Sequence, residues 1–210
     1  MHEKYISVES LRAKGTFSKR PMERDVMDLT TATMLESDII PISYIQSENL
    51  RNNLTPDQLK DGYLSIAFSD NEFRKFNRDL GVVVAKVRGQ VVGYCCVSSA
   101  VFKAQFPILD QIVANLSTYL IPGTEQRPTE TTTCFYGPAC IAMPFRGQNV
   151  LTHLFSHGLK LSKHAGYSFC FSFISSENQR SLKAHLKLPF HKVGKVAYNR
   201  NEYIVIACRI

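Results

Sequence analysis

The chain has 210 residues, 44% of them hydrophobic and 20% charged, ordinary proportions for one globular domain. Eleven glycines and nine prolines are too few for a low-complexity chain, and no uncharged apolar run of about 18 residues is present to form a membrane-spanning helix. Lys and Arg number 25 against 18 Asp and Glu, a formal net charge of +7. The excess is one-sided. Residues 146–210 carry ten bases and two acids, Glu177 and Glu202, whereas residues 1–145 carry fifteen bases and sixteen acids. Such a basic region suggests a polyanionic partner: nucleic acid, an anionic membrane or a phosphorylated cofactor. A solvated surface with no partner is the alternative.

Residues 1–24 are polar and weakly patterned, and are read as an extension outside the main core. They mix Lys4, Arg12, Lys14, Lys19 and Arg20 with Glu3, Glu9 and Glu23 and contain no apolar h-region, unlike a secretory signal. The domain is placed over residues 25–210. A first strand is expected over 25–31. Leu35, Ile39, Ile42 and Ile45 fall at helical spacing within 34–50, where Pro41 is tolerable near a first turn. Thr55-Pro56-Asp57 reads as a cap followed by proline at the first helical position. The segment 64–80 is mixed, with Phe68, Phe73 and Phe76 forming an apolar side.

A hairpin follows: two apolar runs, 81–87 and 91–98, flank the turn Arg88-Gly89-Gln90. Residues 101–120 are predicted helical, with Phe102, Phe106, Leu109, Ile112, Val113 and Leu116 on the buried side. A loop rich in Pro, Gly and Thr spans 121–132. Residues 133–143 read as a buried strand interrupted by Gly137-Pro138, which predicts a bulge or local splay because proline removes a ladder donor. The strongest helix signal covers 149–165, with Val150, Leu151, Leu154, Phe155 and Leu159 on one face and Gly166 as its stop. A buried strand over 167–174, a helix over 178–188 and a terminal hairpin (192–198 and 202–210, turning at Asn199-Arg200-Asn201) complete the chain. This order is α/β with at least one parallel crossover.

The segment most suggestive of chemistry is Cys140-Ile-Ala-Met-Pro-Phe-Arg-Gly-Gln-Asn-Val-Leu151. A strand ends, a short turn follows, and a helix begins at once. Unpaired N–H groups and the helix dipole make such a junction an anion cradle suited to a pyrophosphate. Arg146 can add charge-assisted bonds and Gly147 lets the backbone approach closely. An ordinary strand–turn–helix connection is the plain alternative.

Together with Asn178-Gln-Arg-Ser-Leu-Lys-Ala-His-Leu-Lys-Leu-Pro-Phe190, this segment resembles the GCN5-related N-acetyltransferase (GNAT) superfamily. Ile141-Ala-Met-Pro144 and Arg146-Gly147 match the phosphate-loop pattern (Q/R)-x-x-G-x-(G/A) and its strand end. Asn178, Ser181, Lys187 and Phe190 match N-x-x-(A/S)-x-x-x-Y-x-K-x-G-F. The combined pattern YGP…FRGQ…RSL.AH.KL is similar to one bacterial branch. The departures are Asn149 for the loop glycine, Leu151 for its last small residue, Pro189 for the glycine before Phe190, and His185 for the tyrosine.

The resemblance implies an α/β fold with a central, mixed but mostly antiparallel sheet of about seven strands. That sheet is splayed in the middle and flanked by about four helices. It implies transfer of an acetyl group from acetyl-CoA to a primary amine by direct attack, without metal. The implied coenzyme site comprises Ile141, Ala142, Met143, Arg146, Gly147, Gln148, Asn149, Val150, Leu151, Asn178 and Ser181. The pantetheine arm would lie between the strands at 133–143 and 167–174, bonded like an added strand to Ile141 and Met143. His185 is the candidate acid for the departing thiolate, since an imidazolium donates near neutral pH; a helix-surface histidine is the alternative. Tyr136 is the second catalytic candidate, against a core aromatic. Asn178 bonds the arm, caps its helix, or does both. The general base is left unassigned.

The acceptor, a small-molecule or peptide amine, is expected between residues 42–64 and 197–203. Asp57, Asp61, Tyr63 and Glu202 there either attract a cation or are simply solvated. His153 and His157 share a helix face without a carboxylate at metalloprotease spacing, and read as surface. Cys95, Cys96, Cys134, Cys140, Cys170 and Cys208 form no C-x-x-C pair and read as reduced core thiols of a cytoplasmic protein. A membrane partner is not expected, nucleic acid is disfavoured, and a homodimer is left open. The competing function is a GNAT-like module that senses acyl-CoA or binds nucleic acid without turnover.

Overall fold

The computed structural model describes residues 28–102 and 107–210. The expected extension over residues 1–24 lies outside the described residues. The first strand is β1 (Leu29–Thr33); of the strand expected over 25–31, residues 25–27 lie outside the described residues. Helix α1 (Ile39–Ser47) follows a one-turn 3₁₀ segment, with Pro41 inside its first turn. Helix α2 (Pro56–Leu59) opens on Thr55, which accepts from the N–H of Gln58 while the Gln58 side chain returns to Thr55. Helix α3 (Asp70–Asp79) repeats the device with Ser69 and Glu72, and Phe73 and Phe76 are its buried side.

Strands β2 (Gly81–Val87) and β3 (Gln90–Ser99) form the expected hairpin. Its two turn residues, Arg88 and Gly89, both have positive φ (50° and 78°). Helix α4 (Pro107–Ala114) is shorter than the helix expected over 101–120, of which residues 103–106 lie outside the described residues. It ends where Asn115 leaves helical geometry at φ −110° and ψ 9°. Strand β4 (Thr133–Ile141) leads through the 3₁₀ turn Met143–Phe145 into α5 (Val150–His164). Then come β5 (Phe169–Ser175), α6 (Gln179–His185), β6 (His191–Tyr198) and β7 (Asn201–Arg209). The last hairpin turns on Asn199 and Arg200, at φ 47° and 63°.

The seven strands form one sheet in the order β1-β2-β3-β4-β5-β7-β6, antiparallel everywhere except between β4 and β5. The six α-helices of the described residues exceed the expected four because α2, α4 and α6 are separate short pieces. Side chains alternate across the sheet. Cys95, Cys134, Cys170 and Ile206 join the core beneath α5 and α6. Tyr94 and Cys96 pack under α1 and α3 on the opposite face, and Phe135, Phe171 and Val205 pack against α4 on that same face.

The sheet parts at its only parallel pair. β4 and β5 are in register only from Thr133–Phe169 to Phe135–Phe171, and beyond this β4 continues to Ile141 without a partner on that side. The divergence begins at Gly137-Pro138, where proline has no N–H to offer and the β3–β4 register also shifts between Cys95 and Val97. The expected splay is present.

Candidate active site

At the open end of the splay β4 hands over to α5. Gly147 has φ +77°, and Asn149, the N-cap of α5, has φ 62° and ψ 6°. The position where the loop pattern carries glycine is therefore left-handed, and asparagine holds it because its short polar side chain tolerates that region. No side chain caps this end of α5 and no acid stands in its first turn. The first-turn N–H groups have no partner within the helix, and the dipole adds partial positive charge.

These groups open on a cleft of about 290 Å³. Asn149, Val150, Leu151 and Thr152 line it at the start of α5, Ala139, Cys140 and Ile141 along β4, and Ser181, Lys183, Ala184 and His185 along α6. Its lining carries Arg146, Arg180, Lys183 and Lys187 against a single acid, Asp61. Four of the ten bases of the last third thus converge on one concavity. Arg180, Lys183 and Lys187 were missed in the sequence reading as site residues. They recur at three- and four-residue spacing, which puts them on one side of a helix.

Along β4, the N–H of Ala142 donates to Val92 on β3 at 2.9 Å. Successive residues of a strand point their backbone groups to opposite sides, so Ile141 presents its N–H and C=O to the splay. The Ile141 carbonyl accepts from Nε of Arg146 at 3.1 Å. Arg146 also donates to the Asp61 carbonyl at 2.7 Å and to Oδ1 of Asn49 at 2.6 Å. Three of its five N–H donors are spent on protein acceptors.

His185 is buried yet lines the cleft. Its Nδ1–H donates to the Ser181 carbonyl at 2.8 Å. Burial pushes its pKa below the ordinary histidine value, and the bond to Ser181 opposes this in part. The ring is therefore neutral, with the lone pair on Nε2. Tyr136 is not in the cleft lining. It packs edge-on to Phe155 at 5.3 Å and to His185 at 5.9 Å. Its hydroxyl is buried beside Cys95, and burial, with that neighbouring thiol, holds its pKa well above the usual range.

Asn178 caps α6, its Oδ1 accepting from Ser181 N–H at 3.3 Å, and its Nδ2 donates to the Tyr63 carbonyl at 2.8 Å. Gln148 donates to the Pro144 carbonyl at 2.8 Å. Ala142, Met143, Gln148 and Asn178 border the site without lining the cleft. Of the acceptor-side candidates, Asp61 and Tyr63 line the cleft. Asp57 and Glu202 are instead paired with Lys60 at 2.7 Å and Lys195 at 3.0 Å. His153 is exposed and His157 bonds Thr31 at 3.0 Å; no group of three potential metal ligands occurs among the described residues.

Solved structures share this fold. An N-acetyltransferase from Staphylococcus aureus superposes with TM-score 0.58 at 15% identity, over 87% of this chain and 98% of that one. A putative acetyltransferase from Salmonella typhimurium, solved with its cofactor acetyl-CoA, gives 0.56 at 14% identity over 86% and 93%. An acetyltransferase of the GNAT family from Streptococcus pneumoniae gives 0.56 at 10% identity over 87% and 99%. The chain has the GNAT fold. No family model and no curated protein matches the sequence, so the GNAT likeness rests on the fold. Among the described residues, no GNAT-fold helix is long and apolar enough to cross a membrane.

Proposed function

We propose that this chain transfers an acetyl group from acetyl-CoA to a primary amine on a small molecule or peptide. One observation carries the reading. The uncapped N-terminus of α5 opens on a strongly basic cleft at the point where β4 leaves β5. A coenzyme with an extended amide arm and several phosphates matches each part. The arm adds to the free edge of β4 at Ile141. The first-turn N–H groups of α5 hold the pyrophosphate. Arg180, Lys183 and Lys187 supply counter-charge along the cleft.

In the reaction a neutral amine attacks the thioester carbonyl. The C–N bond forms, the C–S bond breaks, and one proton passes from nitrogen to sulfur. His185 acts as the carrier: Nε2 takes the proton from the amine and delivers it to the departing thiolate, which makes His185 the acid of the second half. Its Nδ1–H bond to Ser181 orients the ring for both halves. Tyr136 supports that ring from beneath.

Calorimetric titration of coenzyme A, followed by thiol release from acetyl-CoA across an amine panel, tests the reading. Saturable binding with amine-dependent thiol release is expected. Binding without turnover on any amine would favour an acyl-CoA sensor, and no binding at all would remove the assignment.

A further inference from the structure

The backbone carbonyls on either side of Gly62 are held from opposite lips of the cleft. Asp61 C=O accepts from Arg146 at 2.7 Å, on the loop between β4 and α5. Tyr63 C=O accepts from Asn178 Nδ2 at 2.8 Å, at the cap of α6 on the β5 side. Asp61-Gly62-Tyr63 is therefore a strap that spans the gap where the sheet parts. Gly62 is buried with φ +91°, and a Cβ there would lie 3.4 Å from Oδ1 of Asn178. That distance is ordinary contact, so it is the positive φ, which L side chains rarely adopt, that suits glycine here.

The rest of the wall is pinned in the same way. Asn49, nearly fully buried, donates to the Ile45 carbonyl at 2.7 Å, which turns its Oδ1 toward Arg146 at 2.6 Å. Leu64 N–H donates to Asn49 C=O at 2.8 Å. Beyond the strap, the Arg51 guanidinium lies 5.2 Å over the Tyr63 ring and pairs with Glu177 at 2.8 Å.

We infer that Arg146 and Asn178 are positioning residues. They fasten the strap so that Tyr63 and its neighbours form a fixed wall for the incoming amine, and neither side chain serves as a coenzyme ligand. The role in amine binding rests on the acetyl-transfer reading above; the fastening does not.

Two conservative variants separate the roles. Arg146→Lys keeps the positive charge beside the cleft, but a single ammonium cannot bridge three separated acceptors. Asn178→Ser keeps a capping oxygen but loses the amide donor to Tyr63. Hydrogen exchange of the backbone around residues 61–64 and calorimetry with coenzyme A are measured on the full chain. Exchange is expected to rise about tenfold in each variant, the scale of one lost charged or buried hydrogen bond. Coenzyme A affinity should stay within about tenfold of the parent, and KM for a substrate amine should rise while KM for acetyl-CoA does not. Unchanged exchange in both variants, or a larger loss of coenzyme affinity in either, would overturn the inference. A parent chain that binds no coenzyme A would sink the acetyl-transfer reading instead, because exchange is read without ligand.

Discussion

Nδ1 of His185 stands 2.8 Å from the carbonyl oxygen of Ser181, one turn back along α6. A carbonyl can only accept, so the ring proton is on Nδ1 and the lone pair is on Nε2. Burial lowers the folded pKa of this histidine below its unfolded value. Protonation therefore favours the unfolded chain. The stability is fully present above about pH 6.5 and is lost as pH falls from there through the folded value. Urea midpoints at several pH values should show this loss, and His185→Gln should flatten it. The same variant should lower kcat while leaving coenzyme A affinity nearly unchanged. Identical pH slopes and equal kcat in both proteins would remove His185 from both roles.

A carboxylate at the start of α5 should move stability and binding in opposite directions. Thr152 is exposed in the first turn and lines the cleft. Thr152→Glu complements the helix dipole and should add about 0.5 kcal/mol of stability. It should also repel the coenzyme phosphates and weaken binding about tenfold, the scale of a nearby partly screened like charge. Thermal unfolding and calorimetry measure the two effects on one sample. A variant that binds as tightly as the parent would place the phosphates elsewhere.

The left-handed backbone of Asn149 yields a stability prediction. Asn149→Ala puts an ordinary side chain at φ 62° and should cost about 1 kcal/mol. Asn149→Gly should be close to neutral because glycine enters that region freely. Denaturant unfolding of the pair tests this, and equal losses in both would show that the asparagine side chain itself matters.

Acetyl transfer should not pass through a cysteine. All six thiols are buried. Cys140, the one in the cleft lining, is pushed up to about 12 by burial, against the opposing pull of Arg146. A thiol so far from ionisation is a poor nucleophile. Iodoacetamide at pH 8 should leave turnover intact, and Cys140→Ala should retain it within about twofold. Stoichiometric labelling with loss of turnover would point to an acetyl-cysteine route.

The helix starts and hairpin turns were legible because each is set by neighbours in sequence. Thr55 caps across three residues to Gln58; the same device at Ser69 and Glu72 lay unread in the mixed segment 64–80. The splay at Gly137-Pro138 was legible for a similar reason, since a missing proline N–H cannot be replaced by distant packing. The helix expected over 101–120 stops at Ala114, because Asn115 leaves helical geometry although the apolar spacing continues to Leu116.

By itself, then, the chain's order of residues determined the seven strands, the strand–turn–helix junction and the basic last third. All of these follow from dihedral preference, side-chain periodicity and charge over a few positions. Only the tertiary structure decided what Arg146, Asn178 and Tyr136 touch. Arg146 meets acceptors 85 and 97 positions away, and Asn178 meets one 115 positions away. A guanidinium beside a phosphate loop can bond a ligand or the protein, and a tyrosine on a strand can face a cleft or a core. The choice lies in which distant segment folds against it, because a hydrogen bond or a packed ring forms only with the groups that three-dimensional closure brings within reach.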